Sequence, residues 1–581
     1  MKGRNLNLKQ FLKHMEKYRL FALLSPILMT LEVFTDIAVP YLMSRIVDVG
    51  IVNQDISYVI RFGIYMIVTA IIGMLFGIFS AYAGAKAGYG FAAEIRHETF
   101  QKVQNFSFSN LDQFKVSSLI TRLTNDCNTI GQVTMMSLRM GIRAPLMMTL
   151  ALVMSFRINS SLATIFAVAL PLTAGFILFI LAKARPLFFE IQERVDDVNA
   201  IIRENLAGIG VVKSFNREKY EEARFKKRND ALMDTAMKAI SIIILLMPFI
   251  HIITYSTIIA ALWFGGKQIV AGSMGRGELM SFITYITQVL ISLMMISMFF
   301  MQLLRGIASK DRILAIWNTK SELKEKNNSV HEVQDGSISF NDVCFRYYED
   351  GDVVLNDINL QIKSGETVGI IGSTGSSKST LVQLIPRLYD VTRGSVEVGG
   401  IDVRDYDLKS LRDQVAFVLQ HNTLFSGTIR SNMLWGNEGA SDEQIIEALQ
   451  KAQAWEFVSK LTDKLDSKVE QGGDNFSGGQ KQRLTIARAL MKDPKIIILD
   501  DSTSAVDMTT DAKIQLAFSK NLDHITTLII GQRISSIKHA DRIVVMEWGK
   551  IEAVGTHREL LTSSPIYQEI YDSQQKGVVS A

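Results

Sequence analysis

Cysteine is nearly absent from this 581-residue chain, with only Cys127 and Cys344. A disulfide framework is therefore excluded as the basis of the fold, and both residues read as reduced thiols in cytoplasmic segments. Charge is also scarce, at 21% Asp, Glu, Lys and Arg against 48% hydrophobic residues. Its absence is local. No charged residue occurs in Phe62–Ala85, Ser160–Ala182, Ala239–Gly266 or Leu279–Leu304. Each run exceeds the roughly 20 residues that carry a helix across a bilayer, and a buried helix of a soluble protein rarely stays uncharged this long. The first apolar run comes late and lacks a small-residue cleavage site, so no removable signal peptide is expected.

Two weaker runs complete a set of six spans. Leu20–Ser44 is interrupted by Glu32 and Asp36, and Ile130–Phe156 by Arg139 and Arg143. An even number of spans puts both termini on one side. The basic start "MKGRNLNLKQFLKHMEKYR" and the Lys- and Arg-rich stretches 86–122 and 183–228 contrast with residues 48–60, which contain no Lys or Arg. By the positive-inside rule the termini and both long connections face the cytoplasm of a cell-membrane protein, although Lys267 and Arg276 fit less cleanly. The N-terminal stretch reads as an amphipathic helix on the inner face. The net charge of +4 follows from this topology and gives no reason to expect a nucleic-acid partner.

The connections "IQERVDDVNAIIRENL" and "GIGVVKSFNREKYEEARFKKRND" carry apolar residues at helical spacing. They are expected to prolong the membrane helices into the cytoplasm, with short helices at the tips. The polar stretch "NTKSELKEKNNSV" begins a linker, placed at 318–335, between a membrane domain (1–317) and a second domain (336–581). In the latter, "SISFNDVCFRY" and "SVEVGG" alternate like strands, while "ETVGIIG" and "KIIILDD" suit buried parallel strands. The expected fold is an all-α transmembrane domain fused to an α/β nucleotide-binding domain.

"GSTGSSKST", Gly372 to Thr380, lies between a strand and a helix, the context that a phosphate-binding loop requires. Backbone N–H groups of Gly372, Ser373, Thr374, Gly375, Ser376 and Ser377 would cradle phosphates, Lys378 would reach the β/γ-phosphates, and the Ser379 hydroxyl would meet Mg²⁺. Ser377 stands where the pattern has a third glycine, so its Cβ is expected to crowd the phosphates.

Two further segments make the pattern specific. "NFSGGQKQRLTIARAL" precedes "IIILDD", and "FVLQHNTLFSGTI" lies between these and the loop. This ordered set resembles the ATPase domain of ATP-binding cassette (ABC) transporters, and the whole chain resembles a half-transporter of the type IV exporter family. The resemblance implies roles for residues at matching positions. Tyr347, with Tyr348 as the less favoured substitute, would stack on adenine. Gln420 would touch Mg²⁺ and relay nucleotide state to the membrane domain, and Asp500 would ligate Mg²⁺. Ser477, Gly478, Gly479 and Gln480 would form the signature that serves the ATP held by the opposite subunit. "SAVD", ending at Asp507, would be the D-loop along that interface. Glu470 would contact the partner's coupling helix, although "EQ" replaces the family's Gly-Glu order.

Against that family three expected residues are missing. Asp501 replaces the catalytic Glu that polarises water, a carboxylate one methylene short. Gln532 replaces the switch His and cannot carry a proton. Ser377 is the third change, whereas the signature departs only by Phe476 in place of Leu. The resemblance therefore implies a degenerate ATP site in this chain, paired with a non-identical half-transporter whose intact site this chain's signature completes. The cargo expected is an amphipathic small molecule. A lipid or peptide cargo, and an ATP-binding regulatory half with little hydrolysis of its own, are the alternatives.

Within the membrane, Glu32 and Asp36 lie one helical turn apart and are candidates for attracting a cationic lipophilic cargo. A structural pairing with Arg139 or Arg143 is the competing reading. The Met- and Phe-rich "LMMISMFFMQLL" and His251 read more readily as packing residues.

Overall fold

The computed structural model describes residues 11, 13–323, 326, 328–348, 350–420, 422–501 and 524–579. Most of the proposed N-terminal amphipathic helix, residues 1–10 and 12, and the D-loop residues 504–507 lie outside these. The chain divides into two compact units. The first comprises 1–104 and 116–318, the second 105–115 and 319–581.

The first unit is helical. Its long helices are α1 (Arg19–Arg45) and α2 (Ile56–Gln104). The short helix α3 (Phe108–Asp112) follows in the chain but belongs to the second unit. Next come α4 (Cys127–Ile158), α5 (Phe166–Ala207) and the short α6 (Ile209–Ser214). The unit closes with α7 (Glu218–Ile244), α8 (Leu246–Val270) and α9 (Arg276–Asn318). Among the described residues, six helical spans are long and apolar enough to cross a membrane. Helix α2 alone has 49 residues, and at 1.5 Å per residue it reaches about 70 Å, more than twice the hydrocarbon thickness. In α2 and α5 the expected prolongation of the spans is thus built as unbroken helix. Pro248, in the first turn of α8, marks where α7 ends, because proline has no N–H with which to continue the ladder.

Helix α1 contains Pro26 and Pro40. The missing N–H of Pro40 deprives the Asp36 carbonyl of its helical donor, a costly deficit in a bilayer. Side chains from α9 make it good. The Gln288 amide donates to Asp36 O at 3.4 Å, and Tyr285 Oη and Ser281 Oγ donate to Ile37 O and Pro40 O at 2.8 and 2.5 Å.

In the second unit, β1 (Ile338–Phe345), β2 (Leu355–Ile362), β4 (Arg393–Val398) and β5 (Ile401–Asp402) form an antiparallel sheet ordered β2-β1-β4-β5. The second sheet contains β3 (Thr367–Gly372), β6 (Val415–Val418), β9 (Ile496–Asp500), β10 (Thr526–Ile530), β11 (Arg542–Glu547) and β12 (Lys550–Gly555). A small two-stranded antiparallel sheet pairs β7 (Gly427–Thr428) with β8 (Lys468–Val469). The six-stranded order is β12-β11-β3-β10-β9-β6, parallel throughout except for the antiparallel edge strand β12.

The apolar runs are buried on both faces, as parallel strands require. On β9, Ile497 and Leu499 enter one core with Ile371, Ile529 and Val545. Ile496 and Ile498 enter the other with Ile370, Leu528 and Val544. This is the period-two alternation of a strand.

Candidate functional site

Four neighbouring parallel strands, β3, β10, β9 and β6, deliver the candidate site from their carboxyl ends, where open α/β sheets bind ligands. The loop after β3 runs into helix α10 (Lys378–Gln383). Gly372 is required by close approach, because a Cβ there would lie 2.0 Å from Met546 O on the neighbouring strand. Gly375 takes φ +85°. Ser373, Thr374 and Gly375 are exposed, Ser376 is buried, and Ser373 Oγ donates to Glu547 Oε1 at 3.2 Å.

Ser377 has φ 70° and ψ 23°, the left-handed region that favours glycine. The substitution noted in the sequence therefore strains the backbone, a cost beyond the crowding first expected. Ser377→Gly is expected to stabilise the protein by about 1 kcal/mol, the usual left-handed penalty of an L-residue. Thermal unfolding of the full chain in detergent measures this. An unchanged or lower Tm would show that the loop does not hold this conformation.

Lys378 folds over the loop. Its Nζ donates to Gly372 O at 3.0 Å, Ser373 O at 2.8 Å and Ser376 Oγ at 3.1 Å. Burial lowers its pKa, opposed by Asp500, Asp501 and Glu547. The ammonium is thus held at the centre of the loop, where it can transfer its donors to a phosphate.

Ser379 Oγ donates to Asp500 Oδ1 at 2.9 Å. Asp500 is 3% exposed, and burial pushes its carboxyl pKa upward, the neighbouring Asp501 adding to the effect while Ser379 and Lys378 oppose it. A hydroxyl and a buried carboxylate oxygen side by side form a hard donor pair. They fit Mg²⁺, which takes one or two protein oxygens and completes its shell with phosphates and water.

Asp501, at the end of β9, has φ 46°, a conformation that Asp tolerates better than most residues. Its Oδ2 accepts from Gln532 Nε2 at 2.8 Å and from Gln420 Nε2 at 3.4 Å. Burial raises its pKa, and Gln420, Lys378, Arg533 and Gln532 oppose the rise. Residues far apart in sequence, from the ends of β6, β9 and β10, thus meet on one carboxylate.

Tyr347 lies beside the loop. Its hydroxyl is 2.8 Å from Thr380 Oγ1 in α10, and burial raises its pKa. Its ring stands edge-on to Tyr389 at 5.2 Å. Tyr348 is 61% exposed. Reading the sequence alone missed Tyr389 and Glu547. An aromatic closing the segment "PRLYD" just after the loop's helix was the available signal for the first; nothing local marked the second.

The remaining sequence candidates lie elsewhere. Ser477 caps the 13-residue helix α11 (Gly478–Leu490), accepting from Gln480 N at 3.3 Å while Gln480 Oε1 accepts from Ser477 N at 2.9 Å. Ser477 and Gly478 are exposed, Gly479 and Gln480 partly so. This is an open helix N-terminus of the kind that suits an anion. Among the described residues, no hydrogen bond or ion pair joins it to the loop 372–380. Phe476 is buried near Phe457, with ring centroids 6.3 Å apart, so its larger side chain is absorbed by the core. Glu470 is exposed.

In the first unit, Glu32 and Asp36 of α1 both pair with Arg143 of α4, the second contact at 2.7 Å. The competing structural pairing is therefore present, and Arg143 is the partner. The cluster carries two carboxylates against one guanidinium.

Residues 22–294 match the family described as "ABC transporter transmembrane region", and residues 355–504 match "ABC transporter". The chain is 38% identical over 567 residues, 98% of each chain, to the uncharacterized ABC transporter ATP-binding protein YfiB of Bacillus subtilis (strain 168). It is 33% identical over 500 residues, 86% of this chain and 83% of the other, to the ATP-dependent lipid A-core flippase of Syntrophus aciditrophicus (strain SB). Its fold matches that of a bacterial Atm1-family ABC exporter solved with ATP bound, with a TM-score of 0.81 at 24% identity, covering 96% of this chain and 99% of that one. The chain belongs to the ABC transporters, as a multi-pass membrane protein whose transmembrane region is joined to an ABC ATPase domain.

Proposed function

We propose that this chain is one half of an ATP-driven exporter that holds MgATP at its own loop and hydrolyses little of it there. In this reading residues 1–317 form the membrane domain, 336–581 the nucleotide-binding domain, and both termini face the cytoplasm. Asp501 carries the reading. Its carboxylate is one methylene shorter than the family's Glu, and the amides of Gln532 and Gln420 both donate to the same oxygen. These donors fix the direction of the carboxylate, and they oppose without overcoming the rise that burial causes in its pKa. Gln532 has no titratable group with which to share a proton. A displacement of about 1 Å at such a base can cost on the order of 10²-fold in rate.

Lys378 and the loop amides would bind the phosphates, Tyr347 would meet the adenine, and Ser379, Asp500 and Gln420 would hold Mg²⁺. The metal supplies charge neutralisation for the phosphates. The exposed signature, Ser477 to Gln480, would complete the intact site of a second, non-identical half-transporter, where most hydrolysis would take place. ATP binding between the two halves then drives the pathway outward.

Glu32 and Asp36 retain an excess negative charge after pairing with Arg143, which supports a cationic amphipathic cargo. A lipid cargo is the second reading, favoured by the relatives named as lipid A-core flippases.

The test is ATPase activity of the full chain in lipid nanodiscs, alone and co-expressed with candidate partner halves. The proposal expects turnover only with a partner. Robust hydrolysis by this chain alone would refute it.

A further inference from the structure

Strand β10 leaves its ladder at Gly531, whose N–H donates to Ile370 O on β3. Just beyond it, the chain is held by a side chain from a distant helix. Gln574 Nε2 donates to Gln532 O at 2.8 Å, and Gln574 Oε1 accepts from Ile534 N at 2.9 Å. A residue on a parallel neighbouring strand, lying opposite Arg533, would take these same two groups. The Gln574 amide thus stands in for a strand and serves a backbone acceptor and donor beyond the end of the sheet.

Gln574 belongs to α13 (Pro565–Val579), which follows α12 (His557–Ser563). Its placement is set by the face of α13 that enters the core. Tyr567, fully buried, and the partly buried Ile570 and Tyr571 pack in the same core as Ile534 and Ile537. Tyr567 Oη lies 2.7 Å from His557 Nδ1 of α12, which fixes the first turns of α13. Gln574 falls three, four and seven residues after Tyr571, Ile570 and Tyr567, so it continues that stripe by one turn. An amide stands where the stripe would carry an apolar side chain, because what it meets there is backbone.

The Gln532 amide in turn donates to Asp501 Oδ2 at 2.8 Å. Gln532 is itself exposed, so little packing aims its side chain, and its direction comes from the backbone that Gln574 clamps.

We propose that Gln574 is a positioning residue for the nucleotide site: by clamping the backbone at Gln532 and Ile534, it aims the Gln532 amide at the place of the terminal phosphate of ATP. This rests on the reading of the loop 372–380, Asp500 and Asp501 as this chain's ATP site. The Gln532 amide is a neutral donor that can pass from Asp501 to a phosphate oxygen while its backbone stays in place. A donor held in its bound position beforehand loses less freedom when the phosphate arrives, so the clamp favours ATP over ADP. Gln574 does this without touching the nucleotide. That suits a site built to hold ATP.

Calorimetric titration of the full chain in nanodiscs, with MgAMP-PNP and with MgADP, reads this discrimination. Gln574→Met keeps the length of the side chain and removes both hydrogen bonds. It is expected to weaken MgAMP-PNP binding about fivefold, the scale of one hydrogen bond, and to change the MgADP Kd by less than about 2-fold. Gln574→Glu keeps an acceptor for Ile534 N but sets a carboxylate against Gln532 O, so it should weaken MgAMP-PNP at least as much. Gln532→Ala removes the aimed donor and should give a similar selective loss. Adding Gln574→Met to it should cost nothing further, because both act through one interaction.

Parent-like affinities in Gln574→Met, or additive losses in the double variant, would overturn the proposal. A general structural defect would lower the Tm and weaken both nucleotides together, which also counts against it. Lys378→Ala isolates the underlying reading, since it should abolish binding of both nucleotides. Retained binding in that variant, or none by the unsubstituted chain, would defeat the site assignment and this inference with it. Normal binding that depends on Lys378 but ignores Gln574 would defeat the inference alone.

Discussion

Ser477→Arg in this chain should abolish ATP hydrolysis by the assembled pair, with a loss of at least about 10²-fold, the range seen when one preorganised donor to a transition state is removed. Ser477 sits at the exposed N-terminus of α11, its hydroxyl already oriented by Gln480. An arginine there destroys the cap and places a long side chain where the partner's γ-phosphate would sit. Asp501→Ala should by contrast reduce the pair's turnover by no more than about 3-fold, because a carboxylate a methylene short contributes little base catalysis to lose. The two variants, co-expressed with the same intact partner and assayed for phosphate release, decide the division of labour. Equal losses would mean that both sites hydrolyse.

Arg143→Gln has the largest effect expected on stability. Arg143 reaches across from α4 to both Glu32 and Asp36 of α1, in spans that cross the membrane. Removing one partner of a fully buried charge cluster typically costs about 3–5 kcal/mol, and this half-buried cluster should lose less than that because solvent screens part of it. Here two half-buried carboxylates would be left one helical turn apart without their shared cation. Thermal unfolding in nanodiscs should show a clear fall in Tm. Adding Glu32→Gln and Asp36→Asn to the same variant should recover most of it, since a neutral cluster has no such debt. A single variant as stable as the parent would show that the cluster is solvated, and would strengthen its reading as part of an open cargo path.

The six spans, the apolar parallel strands and the strand–loop–helix context of Gly372 to Thr380 were legible from residue order. Each depends on a local quantity: an uncharged length that exceeds the bilayer, a run of Ile and Leu buried on both faces, or a glycine-rich turn before a helix. Helix α2 and strands β3 and β9 formed where those patterns lay.

Other features depended on contacts that no local pattern encodes. Either Arg139 or Arg143 could have met Glu32 and Asp36 by sequence; the packing of α1 against α4 selected Arg143. Ser377 was visible as a missing glycine, but only the closed turn showed that its backbone must enter the left-handed region. The segment 105–115 was expected to travel with the membrane helices, and the hydrogen bond from Tyr389 Oη to Asp112 ties it to the other unit instead.

What the sequence by itself determined is the kind of machine and the identity of its altered residues, because hydropathy, chain length and motif order act over short stretches. Only the tertiary structure decided that Gln420 and Gln532 converge on one oxygen of Asp501, and that Tyr389 lies between Tyr347 and Asp112. Those geometries are set by the order in which parallel strands pair and by how side chains from distant segments share one buried space, information that no window along the chain contains.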